Sequence, residues 1–381
     1  MTGPAAGAEA TAPRWLATTL RWGPAEIPLQ SNSPQVLSWT RDCFTAAVPA
    51  APAAGAAATP AAVVVDDDLA ARLAGCCAEP VPGTEMPAHS GAAEGMLLVR
   101  PVTEVISRRR PVPRSWPERV VFGLAPDGEW YAFTTGDPLA PRAGELLARQ
   151  LVERRLREAG AATVHAAGVV LDGRAILFAG DTGCGKTTIA AWAAARLGGY
   201  FLSGDKAGAY LDGGTPMAAG LAQPTRFGEG TLQSLLGEQW WQEKLPLPEL
   251  NQMMGTAKSE KVAPGEFKVV LNNAELALLG VRAAAAAPLA GLVILAAGPA
   301  GAGVGLRRVP AGEALELARP QLRSSWDLLP FPAGGTGDRR FGSGDPALAG
   351  VLDQVPVLQA WWRPGHDDPA AVLAAVREEL G

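Results

Sequence analysis

The sequence has few of the features that mark secreted or metal-binding proteins. Its 381 residues include only four cysteines, Cys43, Cys76, Cys77 and Cys184, and none of their spacings is that of a metal-binding pair. This usage indicates a reduced chain without a disulfide framework. The first residues show no basic segment followed by an apolar one, so we expect no signal peptide. Together these absences predict a cytoplasmic protein.

Long apolar runs and an excess of positive charge are also missing. The most apolar stretch, residues 283–300, is rich in alanine and is interrupted by Pro288 and Gly291, which predicts a buried strand at 292–295 and no membrane span. The net charge of −5 gives no general attraction to nucleic acid or to acidic membranes, so neither is expected as a partner. With 48% hydrophobic residues, the chain is long and apolar enough to fold around a sizeable core.

What the sequence does contain is a phosphate-binding loop. Residues 180–188 fit the pattern G-x-x-x-x-G-K-[ST] and follow the apolar run 175–179, which predicts a strand. Glycines let the backbone wrap closely around an anion, and a helix that begins there directs its N–H groups at it. Lys186 is expected to reach the terminal phosphates, and Thr187 to offer its hydroxyl to Mg²⁺. The pattern predicts ATP and Mg²⁺ as cofactors, held by Gly180, Asp181, Thr182, Gly183, Cys184, Gly185, Lys186, Thr187 and Thr188.

Three motifs that would narrow the class of nucleotide-binding protein are absent. The sequence has no Asn-Lys-x-Asp segment to read guanine, no Leu-Ser-Gly-Gly-Gln segment of transporter-type ATPases, and no apolar strand ending in Asp-Glu as in AAA-type machines. The missing guanine motif favours ATP, although it leaves the choice between ATP and GTP open.

One acidic residue stands where phosphoryl transfer needs a carboxylate. Asp205 follows a short strand predicted at 200–202, nineteen residues beyond Lys186. A carboxylate at a strand end beside a phosphate loop can hold Mg²⁺ or accept the proton of an attacking hydroxyl. An ordinary turn residue fits the same position. We interpret Asp205 as a catalytic and metal-binding residue.

Phosphoryl transfer also requires positive charge near the departing oxygens. The candidates outside the loop are Arg226, Lys258 and Lys261. Each of them also fits the description of a solvated surface cation. Of these we keep Arg226 and Lys261 as catalytic candidates.

Residues 163–212 resemble the catalytic domain of HPr kinase/phosphorylase and its smaller serine-kinase-like relatives. The resemblance lies in a histidine before a β-hairpin, His165, in the phosphate loop, and in the segment Leu-Ser-Gly-Asp that ends at Asp205. A looser likeness runs on through residues 258–264 towards the C-terminus. Family members carry two adjacent aspartates where this chain has Gly204 and Asp205. By this resemblance His165 lies beside the active site, although an ordinary strand histidine fits as well.

The resemblance implies an α/β fold, with an HPr kinase-like P-loop domain and a mixed sheet over residues 141–381. We expect an N-terminal α/β region over residues 1–140, with an Ala/Pro-rich linker at 47–62 and substrate binding as its open role. The implied activity is ATP- and Mg²⁺-dependent transfer of the γ-phosphoryl group to a hydroxyl of a peptide or protein serine or of a small molecule, as in some natural-product pathways. HPr kinases assemble, so a homo-oligomer stays open.

Two other functions stay open on the same residues. Gly204 in place of an acid favours a nucleotide-binding regulatory protein with reduced catalysis. An ATP-using transferase that leaves a nucleotide adduct on its acceptor also fits the phosphate loop.

Overall fold

The computed structural model describes residues 15–47, 58–77, 88–101, 120–136, 140–237, 259–263, 266–298, 303–323 and 345–381. Within these ranges the chain forms a mixed α/β fold with three sheets, which confirms the predicted fold class. None of the helices in the same ranges combines the length and the apolar character needed to span a bilayer. Residues 48–57 of the predicted linker and Lys258 lie outside the described residues.

The N-terminal region forms a sheet of seven strands. They are β1 (Leu16–Trp22), β2 (Ala25–Ser31), β3 (Ala61–Val65), β4 (Ala88–Ala93), β5 (Met96–Pro101), β6 (Val120–Leu124) and β7 (Trp130–Thr134). Their order across the sheet is β1-β2-β3-β7-β6-β5-β4. Strand β3 runs parallel to both of its neighbours, and the other pairs are antiparallel.

The start of strand β3 lies inside the segment that the composition predicts as a linker, residues 47–62. Ala61 and Ala62, which were assigned to the Ala/Pro-rich linker, are buried in the sheet between β2 and β7. A strand covered on both faces needs apolar side chains and no alternation, so alanine serves there as well as it does in a linker. Residues 61 and 62 therefore belong to a strand and not to the predicted linker.

Three helices cover this sheet. Helix α1 (Pro34–Cys43) begins after Ser33, whose hydroxyl accepts a hydrogen bond from the amide of Val36. Helix α2 (Asp67–Gly75) packs on one face, and α1 packs on the other with helix α3 (Pro141–Glu158). At Gly144 a Cβ would lie 2.3 Å from the Thr40 hydroxyl, so this glycine lets α1 and α3 approach closely. Helix α3 thus contacts the N-terminal sheet, and the division of the chain at residue 140 stays a prediction.

The second sheet has nine strands. They are β8 (Ala162–Val164), β9 (Ala166–Leu171), β10 (Arg174–Gly180), β11 (Tyr200–Ser203), β12 (Ala207–Asp212), β13 (Thr215–Gly220), β17 (Ala286–Ala297), β18 (Gly305–Arg308) and β19 (Val357–Trp362). The order β11-β9-β10-β17-β13-β12-β8 is extended by β19 on β17 and β18 on β19. Strand β17 pairs antiparallel with β13 through its first residues and parallel with β10 and β19 further on, which makes this sheet mixed as predicted.

The remaining elements surround the second sheet. A small sheet consists of β14 (Thr225–Gly228), β16 (Glu266–Leu271) and β15 (Ser259–Ala263). The other helices are α4 (Lys186–Arg196), α5 (Glu229–Leu236), α6 (Asn273–Leu278), α7 (Ala311–Ala318), α8 (Asp345–Leu352) and α9 (Pro369–Leu380). Helices α4 and α9 share one core with the sheet, and α7 and α8 share another. The phosphate loop therefore lies between two covered faces.

The N-terminal region is joined to the second sheet through buried contacts. The indole N–H of Trp22 donates to the carbonyl of Gly220 at 2.7 Å. The side-chain amide of Asn273 donates to the carbonyl of Cys43 at 2.6 Å. Tyr210 and Ala219 pack in the same core cluster as the N-terminal sheet. These contacts join the N-terminal region to the second sheet, which carries residues 180–188 at the end of strand β10.

Candidate functional site

The phosphate loop, residues 180–188, has the backbone geometry that its glycines predict. Gly180, Gly183 and Gly185 have φ values of 137°, 87° and 85°, a region that other residues rarely adopt. A Cβ at Gly180 would lie 2.4 Å from the carbonyl oxygen of Leu295, and one at Gly185 would lie 2.2 Å from the ring of Trp362. Two of the three glycines are therefore required for space as well as for conformation.

Helix α4 begins at Lys186, and its N-terminus is open to an anion. Among the described residues no side chain caps this helix, and its first turn contains no acid. Gly185, Lys186, Thr187 and Thr188 all line the adjoining cavity. The first N–H groups of a helix have no partner within the helix and form its positive end. A phosphate is the ligand that such an end accommodates best.

Lys186 is held inside the loop. Its ammonium group donates to the carbonyls of Gly180 and Asp181 at 2.8 and 2.9 Å. The residue is only 7% exposed, and this burial lowers the pKa of its side chain. Its hydrogen bonds to loop carbonyls would be exchanged for stronger ones to phosphate oxygens when an anion enters.

Two threonines connect the start of α4 to neighbouring segments. The hydroxyl of Thr187 donates to the carbonyl of Gly204 at 2.7 Å, which brings it beside the segment that carries Asp205. The hydroxyls of Thr188 and Thr231 lie 2.8 Å apart and share a hydrogen bond. The predicted metal-binding residues, Thr187 and Asp205, therefore belong to adjacent segments.

Asp205 and His165 are in direct contact. Nε2 of His165 lies 3.2 Å from a carboxylate oxygen of Asp205, and its Nδ1 lies 2.7 Å from a guanidinium nitrogen of Arg323. Arginine can only donate, so Nδ1 accepts, and the proton on Nε2 is donated to Asp205. His165 sits in the break between β8 and β9, immediately before the β9–β10 hairpin. The structure thus brings two sequence-predicted residues together.

The carboxyl group of Asp205 is held in its charged form. Burial raises its pKa, but the hydrogen bond from His165 and the electrostatic interactions with His165, Lys206 and Arg226 outweigh burial and lower the pKa to about 2. A base works best when its pKa is near the working pH, so a group this acidic is a weak proton acceptor. The same charge suits a metal ligand.

Gly204, the residue before Asp205, has no room for a side chain. A Cβ at Gly204 would lie 2.5 Å from the methyl group of Thr225 and 3.3 Å from the ring of Phe201. The carbonyl of Gly204 is also the acceptor for Thr187. The position is therefore packed for glycine and does not simply lack an acid.

The phosphate loop opens onto a cavity of about 490 Å³ that includes Asp205 and His165. Arg226, a sequence-predicted residue, also lines this cavity from strand β14. Lys261 lies in β15, opposite Phe267 of β16 in the small sheet, and its side chain is outside the described part of the structure. Of the predicted catalytic residues, Lys186, Asp205, His165 and Arg226 therefore surround one space.

Other cavity residues were missed from the sequence. Arg142 and Arg149 reach the cavity from helix α3, Gln223 lies just before β14, and Arg323 contacts His165. A seven-residue spacing on one helix could have paired Arg142 with Arg149. We find no local signal for Arg323, because its role depends on a contact with a residue 158 positions away.

The donors present fit Mg²⁺ better than a metal that needs several protein ligands. Within the described ranges, no group of three or more His, Cys, Asp and Glu residues could hold a metal ion. Protein-bound Mg²⁺ commonly takes one or two carboxylates together with phosphate oxygens and water. Thr187 and Asp205 match that smaller requirement.

Comparison with known proteins assigns no family. No family model matches the chain, and no curated protein matches it. Among solved structures, the chain is similar to the Hpr(Ser) kinase/phosphatase from Coxiella burnetii, with 13% identity and a TM-score of 0.27 over 57% of this chain and 89% of that one. A TM-score this low establishes neither a shared overall fold nor a shared activity. The resemblance seen in the sequence therefore stays a prediction.

Proposed function

We propose that this protein is an ATP- and Mg²⁺-dependent phosphotransferase that acts on a hydroxyl group of a peptide or protein serine or of a small molecule. The observation that carries the proposal is the meeting of Lys186, Thr187 and Asp205 at one cavity behind a glycine-shaped phosphate loop. Each of the requirements of phosphoryl transfer, namely positioning of phosphates, countercharge and a place for the acceptor, has a residue or a space in this arrangement.

In this proposal each residue of the site has its own role. Lys186 and the N–H groups at the start of α4 bind the phosphates, and Thr187 and Asp205 hold Mg²⁺. The metal, when bound, supplies countercharge to the phosphate oxygens. The acceptor oxygen bonds to the γ-phosphorus, the bond from that phosphorus to the β,γ-bridging oxygen breaks, and ADP leaves. The hydroxyl proton passes to Asp205 or to water, and a loose transition state needs little help from a base.

A reduced, cytoplasmic setting is part of the same proposal. Cys184 lies within the phosphate loop, and all four cysteines carry thiols. Burial raises the pKa of the Cys184 thiol, which keeps it in its neutral form. A neutral thiol in the loop does not oppose an incoming phosphate.

Calorimetric titration with ATP and MgCl₂ tests the nucleotide part of the proposal. Wild type binds, and Lys186→Ala binds at least about tenfold more weakly, because a charge-assisted hydrogen bond contributes on the order of 1.5–3 kcal/mol. Arg21→Ala is the control, since this exposed arginine pairs with Glu26 on the N-terminal sheet. If wild type does not bind ATP with Mg²⁺, the proposal is wrong.

Mass spectrometry of candidate acceptors tests the chemistry. Serine-containing peptides and small alcohols are incubated with ATP, MgCl₂ and either wild type or Asp205→Asn. The proposal expects the addition of one phosphate, strongly reduced in Asp205→Asn and unchanged in the exposed control Asp172→Asn. A nucleotide adduct on the acceptor would instead support the alternative of an ATP-using transferase that transfers a nucleotide. Binding of ATP without any modified acceptor would support the regulatory protein that Gly204 favours.

A further inference from the structure

One wall of the cavity is rich in arginine. Arg142 and Arg149 of helix α3 and Arg226 of strand β14 all line the same space as the phosphate loop, and we name these three residues the arginine wall. Gln223 lines it too, and its side-chain oxygen accepts a hydrogen bond from Arg149 at 3.0 Å. Side chains from two separate parts of the chain thus bring guanidinium groups to one place.

A buried carboxylate organises this wall. Glu145 is 0% exposed, and its oxygens lie 3.5 Å from Arg149 and 4.0 Å from Arg142. Neither oxygen accepts a hydrogen bond from the described part of the chain. Glu145 therefore supplies countercharge to Arg142 and Arg149. Burial raises the pKa of Glu145, whereas the charges of Arg149, Arg142 and Arg226 oppose that rise.

The arginine wall lies next to the reaction site without being part of the phosphate loop. The charge of Arg226 acts on both Asp205 and Glu145. The three arginines line the same cavity as Asp205, from helix α3 and strand β14. A molecule that presents a hydroxyl near Asp205 would have the rest of its structure within reach of this wall.

We propose that the arginine wall is an anion-binding subsite and that the acceptor carries an oxyanion, a carboxylate or a phosphate, in addition to its reacting hydroxyl. A guanidinium group can donate two parallel hydrogen bonds to the paired oxygens of a carboxylate or a phosphate. These hydrogen bonds are stronger in a partly buried cavity than in water. The description of the ligand as an acceptor rests on the proposed function. The binding of an anion by these arginines does not.

The first experiment measures anion binding alone. Inorganic phosphate and malonate are titrated calorimetrically into wild type, Arg149→Gln, Arg226→Gln and Lys186→Ala. Arg154→Gln is the matched control, because Arg154 lies on the same helix and pairs with Glu158 at the surface. We expect at least one of the two anions to bind, with affinity reduced about tenfold or more by Arg149→Gln and by Arg226→Gln. Arg154→Gln should leave it unchanged, and Lys186→Ala should retain the part of the binding that Arg149→Gln removes.

The variants also separate a binding role from a purely structural one. Arg149→Lys keeps the charge and should restore part of the binding, whereas thermal unfolding of each variant shows whether it folds. Loss of anion binding in Lys186→Ala with retention in Arg149→Gln would mean that the anion sits only in the phosphate loop, which overturns the proposal. Failure of both anions to bind folded wild type overturns it as well.

The second experiment asks whether the acceptor uses the subsite. Pairs of acceptors that differ in one charge are compared with ATP and MgCl₂: serine with serinamide, a serine peptide with a free or an amidated C-terminus, and glycerol 3-phosphate with glycerol. We expect a lower KM for the anionic member, and a rise of about tenfold in that KM alone in Arg149→Gln. The serine pairs differ in a carboxylate and the glycerol pair differs in a phosphate, so the comparison shows which of the two anions the subsite prefers.

The outcomes distinguish the two proposals from each other. Anion binding by the arginine wall without ATP binding would support the anion-binding subsite and contradict the proposed phosphotransferase activity. The opposite outcome is phosphoryl transfer with the same KM for charged and neutral acceptors, and with no effect of Arg149→Gln. This outcome would support the phosphotransferase activity and contradict the proposal that the acceptor carries an anion.

Discussion

The two walls of the cavity are built in opposite ways. The phosphate loop comes from one continuous segment and binds mainly through backbone groups, and two of its glycines are fixed by their neighbours. The arginine wall comes from helix α3 and strand β14, and depends on side chains placed around the buried Glu145. A site made of backbone leaves a local signature in the sequence. A site made of converging side chains leaves none until the chain is folded.

The difference also concerns stability. The loop presents its anion site at a helix end, where the cost of unpaired N–H groups is small because they face a solvent-filled cavity. Two residues of the arginine wall, Arg142 and Arg149, carry their charges into the interior beside Glu145, where each charge must be compensated. We therefore expect mutations of the arginine wall to affect folding, and mutations of the loop to affect binding more than folding.

The largest expected effect is on the arginine wall. Glu145→Ala removes the buried carboxylate beside Arg142, whose own pKa burial already lowers. Breaking a buried ion pair from one side costs roughly 3–5 kcal/mol of unfolding free energy. Urea denaturation measures this loss. Glu158→Ala is the control, because this exposed partner of Arg154 is expected to contribute less than about 1 kcal/mol. Equal losses of unfolding free energy in the two variants would contradict the proposed difference between the two walls of the cavity.

A smaller effect is expected in the phosphate loop, from a matched pair of glycines. Gly183→Ala and Gly185→Ala both place a side chain at positive φ, but no described atom lies within 4 Å of a Cβ at Gly183. At Gly185 the Cβ meets Trp362, whose indole N–H donates to the carbonyl of Cys184 at 2.8 Å. Overpacking of this kind costs about 1–3 kcal/mol. Calorimetry should show clearly weaker ATP binding for Gly185→Ala than for Gly183→Ala, and similar affinities would contradict the role of Trp362.

The smallest effect concerns pH and the residue between the walls. The pKa of Asp205 falls from 3.8 to about 2 on folding, so its stabilising contribution is complete above pH 3.8 and is lost as the pH falls towards 2. The side chain is half exposed, which keeps the contribution small. The difference in thermal midpoint between wild type and Asp205→Asn should be constant from pH 7 to pH 5 and shrink below pH 4. A difference that changes between pH 5 and pH 7 would point to another group.

The sequence predicted the features that depend on short stretches of chain. The strand, glycine turn and helix around residues 174–196 are where the motif placed them, and the β-hairpin after His165 is present. For His165 the sequence leaves two interpretations open, and the structure places it in contact with Asp205, so its role stays a prediction. The linker boundary at Ala61 was misplaced, because alanine in a strand buried on both faces looks the same as alanine in a linker.

The phosphate loop was thus determined by the sequence itself, since its glycines and its lysine act through backbone geometry over nine consecutive residues. Only the tertiary structure decided what faces that loop. The packing of α3 against the N-terminal sheet brings Arg142 and Arg149 to the cavity, and the methyl group of Thr225 closes the position at Gly204. These contacts join residues far apart in the chain, and burial and close packing, which fix them, are properties of the folded core and not of any local pattern.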